Sequence, residues 1–368
     1  MAIDRRSLLL GTLSAVSLDA LRGNAFAVAA GEAAFIAAAQ RADQSYAVLL
    51  IAGDGTILRD VPLSARGHDI ALHAATRRAV VFARRPGTFA VAFATGSPAP
   101  PQVFNAIEGR HFYGHGAFSN DGRLLYVAEN DIANARGVVG VYDVEAGYRR
   151  IGEHPSHGVG PHEIILLADG KTLAIANGGI DTVPDAGRES LNIEAMLPNL
   201  AFVDAGSGAL RARHEPPSGL NRLSIRHIAA DRHGVVWFGG QWEGAAAETP
   251  ELIGCAGPEQ SLRLIVPAAP MGTALKGYIG SVAASGDGEV IAASAPKAGR
   301  ILYIAAATGT ILGESTVKDG CGIAGEDGAA FAVTSGLGAF RHETAGAQML
   351  SETNLPGIAF DNHLRRLK

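Results

Sequence analysis

A short phrase recurs along this chain at nearly even spacing: a small residue, then a polar one, then an apolar run. It reads Gly67-His68-Asp69-Ile70, Gly114-His115-Gly116-Ala117, Pro161-His162-Glu163-Ile164, Arg226-His227-Ile228-Ala229, Gly280-Ser281-Val282-Ala283 and Gly320-Cys321-Gly322-Ile323, with a weaker copy at Gly357-Ile358-Ala359. The steps from His68 to His115 and from His115 to His162 are 47 residues each. A period of about 40 to 50 residues is that of a β-propeller blade, whereas solenoid repeats run at about 20 to 34. After most copies comes a turn such as Asn120-Asp121-Gly122, Ala168-Asp169-Gly170 or Gly286-Asp287-Gly288, then an apolar strand such as Leu124–Ala128. Asp-Gly between two apolar runs marks a hairpin, and two further strands complete a four-stranded unit.

Seven copies predict an all-β, seven-bladed β-propeller. The seventh copy has no room after it for its own outer strands, so these are expected from the other end, at 34–39, 46–51 and 56–59, paired with a C-terminal strand at 357–362. Such closure removes free sheet edges at the seam. A chain of 368 residues fits one domain only if the architecture grows by repetition. The expected domain is 33–368, with helical character confined to Ser190–Leu197.

The first residues carry an address. Paired Arg5-Arg6 run into a short apolar stretch, and Ala25-Phe26-Ala27 supplies a cleavage signal, so residues 1–27 read as a twin-arginine signal peptide for export to the periplasm. No later apolar run is long enough for a transmembrane helix, so no membrane insertion is expected after cleavage. A net charge of −5 argues against nucleic acid as a partner. Two cysteines, Cys255 and Cys321, make no disulfide framework.

In a propeller the first strand of each blade lines the central channel, so the residues of the repeat position converge on one axis. His68, His115, His162, His227 and Cys321 are therefore candidate metal ligands, with Ser281 and Gly357 at the same position in the remaining copies. Imidazole and thiolate suit iron, copper or zinc; alternatively, the histidines hydrogen-bond neighbouring backbone and tie blades together. Polar loops on the same face offer ligand-binding candidates: Arg84, His111, Glu129, Asn130, Asn177, Arg226, Gln241 and Lys297. Glu129 is also the candidate catalytic acid or base. His73, His154, His157, His233, His342 and His363 are read as surface residues at turns or outer strands.

The phrases Phe82-Ala83-Arg84-Arg85-Pro86-Gly87-Thr88, Gly109-Arg110-His111-Phe112-Tyr113-Gly114-His115-Gly116, Gly160-Pro161-His162-Glu163, Ser224-Ile225-Arg226-His227, Gly277-Tyr278-Ile279-Gly280-Ser281 and Asp361-Asn362-His363 closely resemble exported bacterial propellers grouped as domain of unknown function 1513. The resemblance spans essentially the whole mature chain, with Glu163 standing where aspartate is expected. It implies twin-arginine export, propeller repeats similar to the nitrous-oxide-reductase-like and YVTN types, and the company of imelysin-like and di-haem peroxidase-like proteins in periplasmic iron handling. It brings no established reaction. Three functions follow as expectations: a periplasmic protein binding a metal or small ligand, a propeller enzyme of lactonase, lyase or metal-dependent oxidoreductase type, and a platform for a partner protein.

Overall fold

The computed structural model describes residues 32–85, 87–181, 192–266 and 275–367. The expected signal peptide at 1–27 lies outside these residues. The described chain forms seven four-stranded antiparallel sheets. Tight turns make the hairpins. At Asn120-Asp121-Gly122 the Asp121 carboxylate accepts from the Ser119 hydroxyl at 2.7 Å and the Arg123 amide at 3.1 Å, and Gly122 adopts φ 67°. Glycine takes that left-handed conformation without steric cost.

Blade 1 closes the ring. Its innermost strand is the C-terminal Ile358–Arg366, which pairs with Phe35–Arg41, followed outward by Tyr46–Ile51 and Ile57–Leu63. The expected seam is therefore present, although its C-terminal strand runs further than 357–362. Blades 2 to 7 follow in chain order, with innermost strands Gly67–His73, Arg110–Phe118, Pro161–Leu166, Leu223–Ala230, Ser281–Ala284 and Gly320–Gly325. Each of these strands packs against the next around the axis, and Gly320–Gly325 meets Ile358–Arg366.

The core is a ring of layers between blades. Phe82, Phe112, Leu125 and Val127 pack between blades 2 and 3, and Phe202, Ile225, Trp237 and Phe238 between blades 4 and 5. Of the expected helix at Ser190–Leu197, the structure shows a single 3-10 turn at Ile193–Ala195, and residues 190 and 191 lie outside the description. No helix among the described residues is long and apolar enough to cross a membrane.

One irregularity positions everything that follows. In a regular strand, neighbouring side chains point to opposite faces. The innermost strands of blades 1, 2, 3, 4, 5 and 7 each break register with their second strands, at Leu364/Phe360, Gly67/Ile70, Phe112/Gly116, Pro161/Glu163, Ile225/His227 and Gly320/Ile323. Bulges re-aim side chains, and in blades 2 and 4 they turn consecutive residues, His68 with Asp69 and His162 with Glu163, toward the axis. Blade 6 has no such shift and presents Ser281 in a regular ladder.

Candidate metal centre

Five imidazoles meet on the axis: His68, His115, His162, His227 and His363, from blades 2, 3, 4, 5 and 1. Each is at most 6% exposed. Taken in the order His68, His115, His162, His227, His363 and back to His68, successive ring centroids lie 4.7 to 4.8 Å apart. Gly114 makes room for the first pair. It has φ +99°, and a Cβ there would stand 2.7 Å from the His68 ring; this accounts for the small residue before His115.

Carboxylates orient three of the rings. His68 Nδ1 lies 2.8 Å from Asp361, His115 Nδ1 3.0 Å from Asp69, and His227 Nδ1 3.3 Å from Glu163. Two of these acids directly follow a histidine of the preceding blade: Asp69 follows His68 and serves His115, and Glu163 follows His162 and serves His227. Blade 3 has Gly116 at that place, and His162 Nδ1 in the next blade has no hydrogen-bond partner among the described residues. Cationic side chains fix the acids in turn. Arg365 donates to Asp69 at 2.6 and 2.8 Å and to Glu163 at 2.8 Å. Arg84 donates to both Asp361 oxygens at 2.8 and 2.9 Å, and Arg66 adds a bond of 2.6 Å.

Burial favours the neutral form of four of the imidazoles, His68, His162, His227 and His363. It pushes His68 down to about 3 despite the Asp361 carboxylate, and it lowers His227 against the pull of Glu163. His162 and His363 fall well below the usual range, from burial first; neighbouring imidazoles lower both further, while Asp69 opposes the fall at His363. Asp69 and Asp361 are held well below the usual carboxylate range: burial alone would raise them, and the Arg365 and Arg84 guanidiniums, with the adjacent histidines, outweigh it. Neutral imidazole presents the lone pair that a metal requires.

Three buried ring nitrogens have no partner among the described residues: His115 Nε2, His162 Nδ1 and His363 Nε2. An unsatisfied buried polar atom costs about 1 to 3 kcal/mol, so three cost about 3 to 9, a large part of a total stability of about 5 to 15. Two donor sets span the ring. His68, His115 and His162 offer atoms within 4.8 Å of one another, and so do His115, Glu163, His227 and His363. Donors about 2.1 Å from a tetrahedrally bound ion stand about 3.4 Å apart, so a donor pair at the full 4.8 Å closes by about 1.4 Å on binding. The sets differ in what contraction breaks. Both Glu163 oxygens are already taken, one by Arg365 and the other by His227 and the Ile228 amide. The Nδ1 bonds of His68 and His115 leave Nε2 of each for a metal, and His162 Nδ1 has no bond to lose among the described residues.

Four of the five metal-ligand candidates thus come together, and one does not. The Cys321 thiol points to the Phe360 and Asp361 carbonyls at 3.6 and 3.3 Å, packs in an apolar cluster, and is pushed up to about 12 by burial. Its bulge turns the side chain onto the closing strand and away from the imidazoles. His363, expected at the surface, is 2% exposed and completes the ring. The other five outer histidines are half-buried or exposed at rims and turns, as expected. Asp69, Asp361 and Arg365 were not anticipated, although the His-Asp and His-Glu pairs in successive repeats carried a signal.

Among the loop candidates, Arg84, Arg226 and Gln241 line a cavity of about 10 Å³ against His68, His162 and His227, together with Tyr278 and Asn362. Lys297 stands one step away, its ammonium 4.7 Å from the Tyr278 ring centre. The other four are engaged inside blades 3 and 4. Asn177 bonds Ser156 and Asn199 at 2.8 and 2.9 Å, and His111 lies across the strand pair from Asn130 with its Nδ1 3.1 Å from the Phe112 carbonyl. Glu129, the candidate acid or base, is fully buried away from the axis. It accepts from Tyr142 at 2.6 Å and from Arg150 at 2.9 Å, which leaves it a structural anion.

Solved structures share the architecture. Hydrazine synthase of Kuenenia stuttgartiensis aligns with TM-score 0.59 at 11% identity over 91% of this chain and 99% of its own. A functionally unknown protein from Desulfotomaculum acetoxidans gives 0.58 at 12%, covering 90% and 100%. BamB from Moraxella catarrhalis gives 0.53 at 13%, covering 87% and 84%. At such identities the likeness is one of fold. No curated protein matches the chain. A sequence family matches residues 61–367, which takes in all five axial histidines and their carboxylates, and the chain belongs to that family, described as "Protein of unknown function (DUF1513)".

Proposed function

We propose that this propeller binds a single first-row transition ion, iron, copper or zinc, on its axis through His68, His115 and His162. The observation that carries the reading is a set of buried axial imidazoles in which His115 Nε2 and His162 Nδ1 lack partners among the described residues while carboxylates hold the Nδ1 atoms of His68 and His115. Carboxylate–histidine–metal relays have this form, with the acid fixing the tautomer and aiming the lone pair. Three imidazoles suit all three metals, and three protein ligands leave one coordination position open. Asp361 and Asp69 serve His68 and His115 in this role.

The paired Arg5-Arg6 before an apolar stretch support export as a folded protein, and hence a periplasmic role in iron or copper handling beside imelysin-like or di-haem peroxidase-like partners. The open position also favours a second reading, a metal-dependent enzyme acting on a molecule small enough for the adjoining cavity.

The test is elemental analysis of protein purified after native export, beside a His115→Ala/His162→Ala variant. The expected result is near-stoichiometric metal in the native protein and a loss of at least 90% in a variant that still unfolds cooperatively. A native protein that is empty and takes up no added iron, copper or zinc would overturn the reading.

A further inference from the structure

The two ends of the imidazole ring differ in chemistry. On one side Asp69 and Glu163 face the rings and Arg365 closes the way, its guanidinium bonded to both. On the other side lies the cavity of about 10 Å³, whose polar lining beyond the histidines comes from Arg84, Arg85, Arg226, Gln241, Tyr278 and Asn362, with no carboxylate among the described residues of its walls. The acids nearest that cavity are already paired: Asp361 with Arg84, and Glu243 with Arg226 at 2.9 Å.

We propose that this cavity is a subsite for a small anion that enters from the Arg84 and Arg226 side and completes the coordination of the axial ion. The inference rests on the metal reading. Charge supports it first. Around the ring the carboxylates of Asp69, Glu163, Asp361 and Glu243 are matched by the guanidiniums of Arg365, Arg66, Arg84 and Arg226, and Arg85 adds a further guanidinium at the cavity wall. A divalent ion added there brings uncompensated positive charge into a buried site, and an anion beside it removes most of that penalty. Position supports it next. His68 and His162 belong to the three-imidazole set and also line the cavity, so the open position adjoins this space. His162, which lines the same wall, has its buried Nδ1 without a partner among the described residues. Size then sets the class. A space of about 10 Å³ holds roughly one water molecule, so it admits one small coordinating atom of a monoanion, as with hydroxide, fluoride or azide bound end-on with its tail in the entrance, while benzoate is excluded. On the opposite side Arg365, held between Asp69 and Glu163, fills the way in, which makes entry one-sided.

The experiment uses apo protein loaded with Cu(II), its copper content and chelator-competition affinity measured first, then titrated with azide while the azide-to-copper charge-transfer absorption is followed. A saturable band is expected in the native protein and none with benzoate. In Arg226→Gln the azide dissociation constant is expected to rise at least tenfold with copper affinity within threefold; Tyr278→Phe, expected to rise about threefold, gives an independent check should Arg226→Gln not fold. Failure to retain copper overturns the metal reading and this subsite with it. Retained copper with no azide band, or equal azide affinity in native protein and both variants, overturns the subsite alone.

Discussion

Two of the buried polar clusters in this propeller are built on opposite terms. Inside blade 3, Glu129 is fully enclosed, and its charge is met by the Tyr142 hydroxyl and by Arg150, which also bonds Glu153 at 2.6 Å. On the axis, five imidazoles are enclosed to a similar degree, yet three of their nitrogens have no partner among the described residues. The first cluster is complete as it stands and ties three strands together. The second is complete only if something else arrives. Burial and charge alone therefore do not distinguish a site from a structural network; what distinguishes them is whether the hydrogen-bonding capacity is used up.

The contrast can be pressed hardest at Asp69, which belongs to the axial cluster without belonging to the donor set. Asp69→Asn removes the acceptor that aims His115 and frees Arg365. Loss of such an orienting acid costs about 10- to 100-fold in metal affinity, and competition against a chelator of known affinity will read it. An unchanged affinity would place His115 outside the coordination sphere. Glu129→Gln tests the opposite cluster. It is expected to lower unfolding stability by about 2 to 3 kcal/mol, below the roughly 3 to 5 typical of a broken buried pair because Arg150 keeps Glu153. Urea titration measures that loss, and metal affinity should stay within threefold. A change in metal affinity matching that of Asp69→Asn would erase the distinction. The smallest effect is expected at Cys321, where serine should leave metal content unaltered. With its thiol pushed up to about 12, native Cys321 should resist iodoacetamide at pH 8 and react only on unfolding, as mass spectrometry of the labelled peptide will show.

Much of the fold was legible because a blade repeats. His68, His115 and His162 fall in equivalent places, and the Asp-Gly turns mark the hairpins between them. The seam was legible too, since strands at 46–51 had no other partner to complete. The axial site was less so, for a definite reason. Sequence reasoning aligned the last copy on Gly357, whereas the closing strand bulges between Phe360 and Leu364 and delivers His363. Alternation also places Asp69 opposite to His68 and Glu163 opposite to His162. The register breaks overturn that rule, and a bulge has no residue signature that separates it from regular strand. Glu129 misled for a related reason: its loop position gave no hint that Tyr142 and Arg150 close over it.

The closing strand has one more consequence. Asp361, His363 and Arg365 all ride on Ile358–Arg366, the segment that must find Phe35–Arg41 from the far end of the polypeptide. Until that long-range docking occurs, His68 lacks its carboxylate, Asp69 and Glu163 lack their shared cation, and the fifth imidazole is missing. Maturation of the site and completion of the circle are thus a single cooperative event, and a chain caught with its ring ajar would be as incompetent chemically as it is incomplete mechanically.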